Sequence, residues 1–506
     1  MSNYIHTPKI ISYNDIAKCG FSLSSSQHKN FKIANQNCKL VKDFLAHDLS
    51  RNDLGVEVGS ANYIGQSSHY FLRTKALQSH SYLPEISSET ALPIMPSSFV
   101  KMNLKAGDLI ISKDSNIGEI VILDKDYPNY MLSGALYKLP IKQHKYYLLA
   151  MIKHNVFREQ LDFIVPKGAT IRHAKTLFLD CKIPIPNNNV DNVIKFVENL
   201  TQAIVNKQRL IKERYQTILT LIENELLNNQ KDNPFSFNLP TIKEIEGVSR
   251  LDTNLYRENF KKLVFLIKNY VKGFKTIQEL GFSLSRGQNL QISNIGNSIY
   301  SKKKYKNFYT LILPKFISKY GTVDSIEYLG NAKSLKTLKK GDLIFGAEGF
   351  EKGRSIVIIE EQEKVITNIH GITIQQKEHD ANKAIFVKCV LDYFRNKGII
   401  NLYAVGGNGG SLAQKYWDII PFPNFSIEKQ QEITKQYHNP TDYDVEKATL
   451  DDFLALDNGF NSQAGIYELD KTAKMLTNLL DKTIENIIDN KPVDIKFNLE
   501  AALDND

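Results

Sequence analysis

The chain has 506 residues, of which 42% are hydrophobic and 24% charged, so it is long enough for two to four domains and has the composition of a folded protein. The net charge of +9 favours a polyanionic partner only mildly, because it is spread over a large chain. The four cysteines form no Cys-x-x-Cys pair, which argues against a disulfide framework and a zinc site. With neither a signal peptide nor an apolar run long enough to cross a bilayer, we expect a soluble, cytoplasmic protein that contacts no membrane.

The first region, to about Pro186, is mixed and rich in predicted strands. Residues 109–111 and 119–123 are largely apolar runs bounded by glycine and aspartate, as is typical of buried strands. The segment from Val190 to about Asn229 contains no proline or glycine, and its apolar residues recur every seven positions. This pattern predicts a long amphipathic helix with a coiled-coil seam, which needs a partner helix to bury its apolar stripe.

Residues 231–240 contain two prolines and two asparagines, which predict a break after this helix. A second mixed region follows to about Asn424, and another helical segment begins near Ser426, which suits an N-cap. An acidic insert at about 438–464 interrupts that segment. The last predicted helix, from Ile466 to Asn490, repeats the seven-residue spacing and is the candidate partner of the first.

The two mixed regions share motifs in the same order, which indicates an internal repeat. The matching pairs are 20–24 with 281–285, 104–110 with 338–344, 118–122 with 353–358, 167–171 with 409–412, and the Pro-x-Pro steps 183–186 with 420–423. A long helix follows each Pro-x-Pro step. Because these landmarks agree in order, chance similarity is improbable, and two copies are too few for a solenoid.

We therefore expect an α+β chain with a pseudo-twofold internal repeat, in which two similar domains are separated by two long antiparallel coiled-coil helices. Two related domains suit the reading of two sites along a linear polymer with twofold symmetry. Duplex DNA is such a polymer, and it fits the positive charge. The predicted segments are a first target-recognition domain (1–187), a central spacer helix (188–230), a connector leading into the second repeat (231–274), a second target-recognition domain (275–424), and a distal spacer helix with its acidic insert and acidic tail (425–506).

Four stretches carry a resemblance to a known family. They are Leu-Lys-Lys-Gly-Asp-Leu-Ile at 338–344, Gly-Gly-Ser-Leu at 409–412 with Ile-Ile-Pro-Phe-Pro at 419–423, the helix start at 427–433, and Ser-Arg-Leu-Asp-Thr-Asn-Leu-Tyr at 249–256. Each motif is weak alone, but together, on a layout of two domains and two helices, they are fairly specific. Over nearly its whole length the chain resembles the DNA-specificity subunits of type I restriction–modification systems.

The resemblance implies a non-catalytic subunit that binds double-stranded DNA, each domain reading one half of a split sequence. Its helices would set the unread gap and dock two methyltransferase subunits that methylate adenine N6, and a restriction–translocation subunit would complete the assembly. S-adenosylmethionine, ATP and magnesium are then expected only in the partner subunits, and no cofactor in this chain. Two alternatives stay open: a fragment or relative of a single-chain restriction–methylation enzyme, and a coiled-coil scaffold with two protein-binding domains.

The chain departs from the family in three places. The first copy has Asn187–Asn188–Asn189 where the family has a Glu-x-x-Gln step, the distal helix is split by the acidic insert, and the tail 498–506 is acidic. The insert is not expected to face DNA. Its composition fits a contact with a protein partner and a solvated loop about equally well.

The motifs that suggest catalysis are weak. There is no Gly-x-x-x-x-Gly-Lys-Ser/Thr phosphate loop. Asp232–Asn233–Pro234–Phe235 is superficially similar to the Asn-Pro-Pro-Phe of adenine methyltransferases, but it lacks the second proline and an upstream glycine-rich motif, so a catalytic role is disfavoured. Residues 406–410 could cradle a phosphate, although a loop whose glycines allow close approach of DNA or tight turns is preferred. His370 is interpreted as structural or DNA-facing, because no metal-ligand spacing is present.

Candidate DNA contacts follow from side-chain type, since arginine and lysine suit phosphates and guanine, and asparagine and glutamine suit adenine. In the first domain they are Arg73, Lys75, Lys113, Asn116, Lys167, Thr170, Arg172 and His173. In the second domain they are Lys302, Lys303, Lys304, Lys306, Lys352, Arg354, Asn408, Ser411, Gln414 and Lys415. Each one is at least as well explained as a solvated surface residue, and the clusters 302–306 and 167–172 are preferred over any member. Lys207 and Arg214 interrupt the helix seam and are interpreted as setting its register, in preference to contacting DNA.

Overall fold

The structure is a computed structural model that describes residues 4–18, 20–24, 28–165, 173–349, 351–361, 364–406 and 410–499. The chain divides into two compact units. The first unit contains Met1–Arg209, Asp442–Ser462 and Lys471–Asn505, and the second contains Leu210–Thr441 and Gln463–Asp470. Each of the two long helices therefore contributes residues to both units.

The first unit holds ten strands and all or part of six helices. The strands are β1 (Ile5–His6), β2 (Asn30–Phe31), β3 (Cys38–Leu40), β4 (Tyr70–Leu72), β5 (Ala91–Pro93), β6 (Leu109–Ser112), β7 (Ile120–Ile122), β8 (Tyr130–Leu132), β9 (Leu136–Leu139) and β10 (Lys182–Pro184). The helices are α1 (Tyr13–Lys18), α2 (Lys145–Lys153), α3 (Asn155–Ile164), the first half of α4 (Val190–Asn228), a helix of the insert at Phe453–Gln463, and residues 471–488 of the last helix. Strands β6 and β7 are fully buried and confirm the two strands predicted from their apolar runs.

The second unit holds the second half of α4 and the elements that follow it. Its helices are α5 (Ile242–Val248), α6 (Glu258–Lys268), α7 (Ile292–Ile295), α8 (Ala381–Asn396), α9 (Ile399–Tyr403) and α10 (Ile427–Tyr437). Its strands are β11 (Phe274–Lys275), β12 (Phe282–Arg286), β13 (Ser298–Ser301), β14 (Tyr309–Leu311), β15 (Glu327–Asn331), β16 (Leu343–Gly346), β17 (Ser355–Val357), β18 (Val365–Ile366), β19 (Gly371–Gln376) and β20 (Phe422–Pro423). The insert helix is α11 (Phe453–Gln463), and α12 (Ile466–Ile488) is the last helix.

The strand pairing is the same in both units. In the first unit β4 pairs antiparallel with β5 and parallel with β8, and in the second β14 does the same with β15 and β18. Strand β6 pairs antiparallel with both β7 and β9, and β16 does so with β17 and β19. The predicted α+β class and internal repeat are therefore confirmed.

The shared Gly-Asp turn shows the repeat at the level of single hydrogen bonds. Gly107 and Gly341 have φ of +84° and +83°, a left-handed conformation that favours glycine. In each turn the aspartate that follows accepts a hydrogen bond from the backbone of the lysine three residues before it. The N–H of Lys105 donates to Asp108 at 2.7 Å, and the N–H of Lys339 donates to Asp342 at 2.9 Å. The same motif therefore forms the same turn in both copies.

The repeat departs from symmetry at its first landmark. Phe282 begins β12, which pairs with β19 along its whole length. The matching described residues 20–24 form no strand. Identical short sequences thus take different structures, because strand formation depends on a neighbouring strand as well as on local sequence.

Helix α4 covers the predicted segment to within one residue. In the first unit its apolar residues Val193, Val197 and Leu200 share one core cluster with Leu476 and Leu480 of α12. The two helices run antiparallel there, because the amide of Asn187, just before α4, donates to Asn490, just after α12, at 2.6 Å. The predicted antiparallel seam is therefore present in this unit.

In the second unit the antiparallel partner of α4 is α10. Arg214 donates to Gln436 at 3.1 Å, and Lys429 lies 3.7 Å from Glu225. Tyr215 and Ile222 are buried here, while Leu221 is only half-buried. A straight α-helix has 3.6 residues per turn and drifts relative to a seven-residue repeat, so the buried face moves by one position.

Helices α10 and α12 contact each other at the two ends of the insert, which begins after α10 and ends before α12. A Cβ atom on Gly465 would lie 2.7 Å from the carbonyl oxygen of Tyr437, the last residue of α10. Glu468 closes the junction, because its carboxylate accepts hydrogen bonds from the backbone of Asn439 at 3.0 Å and of Gly465 at 3.1 Å, and contacts Nδ1 of His438 at 2.5 Å. The helical segment thus resumes beside the point where it was interrupted.

The acidic insert is not a solvated loop along its whole length, which corrects one interpretation of its composition, whereas a contact between its exposed residues and a protein partner stays a prediction. Helix α11 packs on α4 within the first unit. Phe453 is buried and stacks on Phe497 at 3.9 Å between ring centroids. Asp457 forms an ion pair with Lys207 of α4. Composition alone did not reveal that apolar residues at helical spacing lie among the acidic ones.

None of the described helices is both apolar enough and long enough to cross a membrane.

Candidate nucleic-acid interface

The loop 302–306 connects β13 with β14 in the second unit and carries four exposed lysines. Among the residues that the structure describes, no carboxylate lies within 4.0 Å of any of their amino groups. Tyr300 and Tyr305, on the strand and the loop, each leave 54% of their surface exposed. Free cations interleaved with exposed aromatic rings are the side chains that bind phosphates and stack on bases.

Two predicted contacts of the second unit are used inside the fold. Lys352 is buried, donates to the carbonyl of Gly349 at 3.3 Å, and has its pKa lowered by that burial. Arg354 pairs with Glu351 at 2.5 Å and donates to the carbonyl of Ile317 at 3.1 Å. Their role as DNA contacts stays a prediction. It is disfavoured because both side chains already bond to groups within the fold.

The remaining candidates of the second unit lie near the segment 405–415. Ser411 pairs with Val405 through two backbone hydrogen bonds of 2.9 and 2.8 Å. Gln414 and Lys415 are exposed at the start of the 3-10 turn Gln414–Asp418. Asn408 lies outside the described residues.

In the first unit the structure places only some of the candidates. Lys75 and Asn116 are exposed, and Arg73 is half-buried at the end of β4. Lys75 lies 3.9 Å from Glu89. Lys167, Thr170 and Arg172, and with them the cluster 167–172, lie outside the described residues.

Lys113 and His173 come together around a carboxylate that the sequence did not suggest. Asp114 binds the amino group of Lys113 through one oxygen at 2.5 Å and Nδ1 of His173 through the other at 2.7 Å. A carboxylate accepts hydrogen bonds, so Nδ1 carries the proton and Nε2 is left for another partner. The side chain of His173 is 56% exposed, whereas that of Asp114 is 12% exposed.

The second unit contains a matching arrangement around Glu348. One oxygen of Glu348 accepts from Arg286 at 3.0 Å, and the other contacts Nδ1 of His370 at 2.6 Å. The His370 side chain is 59% exposed. Neither Arg286 nor Glu348 was predicted, because Arg286 ends β12 and Glu348 follows β16, and only pairing of the sheet brings them together.

A groove of about 740 Å³ opens beside His370 in the second unit. Its lining combines the polar side chains of Glu348, Asn368, His370 and Ser411 with Lys315 and with glycines at positions 346, 349, 406 and 410. Glycines leave the backbone open to close approach by a ligand. The groove therefore presents hydrogen-bonding groups, one cation and the two carboxylates of Glu348 and Glu351 beside its glycines.

Lys207 and Arg214 are held by partners within their own units. Lys207 is fully buried and pairs with Asp457 of the insert. Arg214 is half-buried and donates to Gln436 of α10. Both side chains are therefore engaged within the protein, and the interpretation that they set the helix register stays a prediction.

The segment 232–235 has a structural role. The side chain of Asn233 donates to the side-chain oxygen of Asn269 at 3.0 Å. Phe235 packs against Phe265 with ring centroids 5.4 Å apart. In a methyltransferase the corresponding asparagine would face the target base. Here Asn233 is instead hydrogen-bonded to Asn269 at the end of α6.

No protein-family model matches the sequence, and no curated protein matches it. Several solved structures are similar to it. The S subunit of a type I restriction–modification system from M. genitalium is 14% identical, with 90% of this chain and 97% of that chain covered and a TM-score of 0.35. A second solved structure concerns the complex assembly and conformational transition of the type I restriction–modification system. One of its chains is 12% identical to this one, with 91% of this chain and 99% of that chain covered and a TM-score of 0.27.

The HsdS subunit from Thermoanaerobacter tengcongensis is 12% identical, with 84% of this chain and 91% of that chain covered and a TM-score of 0.24. The solved chains to which this protein is similar over most of its length are specificity subunits of type I restriction–modification systems.

Proposed function

We propose that this chain is a non-catalytic specificity subunit that binds a bipartite sequence in double-stranded DNA, one half through each unit. The observation that carries the proposal is the duplicated sheet pairing, which gives one chain two copies of the same fold. Two copies of a reading domain match a target with two halves. The four free lysines at 302–306 and the groove beside His370 supply cations and hydrogen-bonding groups of the kind that DNA requires.

In this proposal the long helices serve as the spacer and the docking surface. Helix α4 is 39 residues long and has an antiparallel partner in each unit. It would fix the number of unread base pairs and hold two methyltransferase subunits and a restriction–translocation subunit. S-adenosylmethionine, ATP and magnesium would be bound by those subunits, and the assembly would work in the cytoplasm.

The test is methylome sequencing of cells with and without this chain. We expect a split motif with methyladenine in both halves that disappears when the chain is absent. If the same motif is methylated in both strains, the chain does not specify the target. A parallel measurement with purified chain separates the alternatives, because methylation by the chain alone would identify a single-chain enzyme.

Salt dependence distinguishes a DNA reader from a protein scaffold. Binding to duplex DNA releases counterions, so the affinity should fall by a factor on the order of 10³ between 50 and 200 mM salt if about six phosphates are contacted. A scaffold with two protein-binding domains would show no measurable affinity for the duplex at either salt concentration.

A further inference from the structure

Asp114 and Glu348 occupy the same position in the two units. The backbone N–H of Ser112 donates to the carbonyl of Glu119, and that of Gly346 donates to Arg354, both at 2.8 Å. These bonds make Ser112, the end of β6, equivalent to Gly346, the end of β16. Each carboxylate stands two residues beyond that point, and each binds one cation and one histidine.

The two histidines reach their carboxylates from different segments of the two units. The N–H of Lys113 donates to Ala135 at 2.9 Å, and the N–H of Ala347 donates to His370 at 3.1 Å, so His370 stands where the first unit has Ala135. The N–H of Ala174 donates to Lys113 at 2.8 Å, and the N–H of Leu412 donates to Ala347 at 2.9 Å. His173 therefore stands where the second unit has Ser411.

The ring of His370 is held in place by its backbone as well as by Glu348. The N–H of Gly371 donates to the carbonyl of Asn368 at 3.0 Å, which closes the turn before β19. A Cβ atom added to Gly287, the residue after β12, would lie 2.1 Å from the carbonyl oxygen of Asn368. The chain at the end of β12 therefore passes close to this turn. A ring fixed in this way has one free nitrogen with a defined direction, which is what the reading of a base requires.

We propose that these two acid–histidine pairs are base-reading elements, one in each unit, and that the different position of the histidine in the two units gives each half of the target a different base. This inference rests on the proposed function. In the neutral ring Nδ1–H donates to the carboxylate, and Nε2 accepts a hydrogen bond from an exocyclic amino group in the major groove. That group belongs to adenine or cytosine.

The experiment selects from a random duplex DNA library with the chain assembled with its methyltransferase subunits, and sequences the bound DNA. His370→Ala should reduce discrimination by roughly 10-fold at one base pair of one half-site, and His173→Ala should do so in the other half-site. His47→Ala is the matched control, since this exposed histidine also lies near a carboxylate, Asp53 at 3.9 Å, away from both strand ends. It should leave both half-sites unchanged.

A double variant, His173→Ser with Ala135→His, gives the first unit the arrangement of the second. It places the histidine at the position equivalent to His370 and a serine at the position equivalent to Ser411. We expect its preferred base or base position to change in the first half-site alone. Thermal melting of each variant checks that the fold is kept, which we expect because both histidine side chains are more than half exposed.

The possible failures are distinguishable. If the wild-type assembly enriches no split sequence, the proposed function itself is wrong. If it enriches one and the histidine variants enrich the same sequence with the same discrimination, the base-reading inference is overturned. An affinity loss that is uniform over all sequences would also overturn it, because that pattern belongs to a phosphate contact.

Discussion

Lys207 and Asp457 form an ion pair of 2.7 Å inside the first unit, where neither side chain is more than 1% exposed. Lys207 also donates to Asn461 at 2.7 Å, and Asp457 accepts from Tyr443 at 2.8 Å. Burial lowers the pKa of Lys207 to about 8, although Asp457 opposes that change. The pair fastens the insert helix α11 to α4, so the insert is part of the folded core.

Breaking this pair should be costly, and replacing both partners should cost less than the two single changes together. Lys207→Met leaves a buried carboxylate without its cation, and we expect a loss of about 3–5 kcal/mol in the free energy of unfolding. Asp457→Leu should cost a similar amount. The double variant should recover only part of the loss, because it removes the unpaired charge but leaves Asn461 and the Tyr443 hydroxyl without the hydrogen bonds that they make with Lys207 and Asp457.

Denaturant unfolding of the wild type, both single variants and the double variant measures the coupling directly. A single-variant loss below about 1 kcal/mol would show that the pair is solvated in solution, as surface ion pairs are.

The junction between α10 and α12 should tolerate no side chain at Gly465. The Cβ of an alanine would lie 2.7 Å from the backbone of Tyr437, which has to shift to accept it. We expect Gly465→Ala to destabilise the protein by about 1–3 kcal/mol.

Gly459 provides the matched control, because it lies within helix α11 with no atom within 4 Å of an added Cβ. Gly459→Ala should stabilise the protein by about 0.5–1 kcal/mol through helix propensity. If the melting temperatures of the two variants shift in the same direction, this explanation is contradicted.

His154 should make stability fall at acidic pH. Its Nδ1 accepts the N–H of Val156 at 3.2 Å and so caps helix α3, and burial lowers its pKa from 6.5 to about 4. The unfolded chain therefore binds a proton that the folded chain does not. Stability is complete above pH 6.5 and declines as the pH falls toward 4, by about 2–3 kcal/mol.

His154→Asn keeps a capping side chain without a titrating ring. The difference in unfolding free energy between this variant and the wild type should therefore change between pH 7 and pH 4, with the wild type losing more. Parallel pH profiles for the two proteins would show that His154 does not titrate in this range.

The lysines at 302–306 should contribute affinity without specificity. Replacing Lys302, Lys303, Lys304 and Lys306 by alanine should weaken binding to all duplex sequences. It should also reduce the slope of log affinity against log salt concentration by about 2–4, depending on how many of the four lysines contact a phosphate. Filter binding or fluorescence anisotropy at several salt concentrations measures the slope. Lys491→Ala, which removes an exposed lysine already paired with Asp489 at 2.7 Å, should leave it unchanged.

The long helices and the repeat were readable from the sequence, because both are periodic. The seven-residue spacing located α4 and α12 almost to the residue, since side chains on one face of a helix must be apolar wherever a partner helix covers them. The Gly-Asp turns matched because their backbone conformation requires glycine at a fixed place. Local sequence was sufficient in these cases because local geometry imposes the requirement.

The acid–histidine pairs, the packing of the insert and the burial of Lys352 were decided by tertiary structure. Each depends on which segments distant in sequence become neighbours, such as Arg286 with Glu348 and Lys207 with Asp457. The composition of the insert fitted a solvated loop and a protein contact about equally well, because the number of charges does not show which of them are paired. The sequence by itself therefore determined the helical frame and the duplication. Only the folded chain decided which charges are buried and which stay exposed, because burial and pairing are properties of contacts between distant residues.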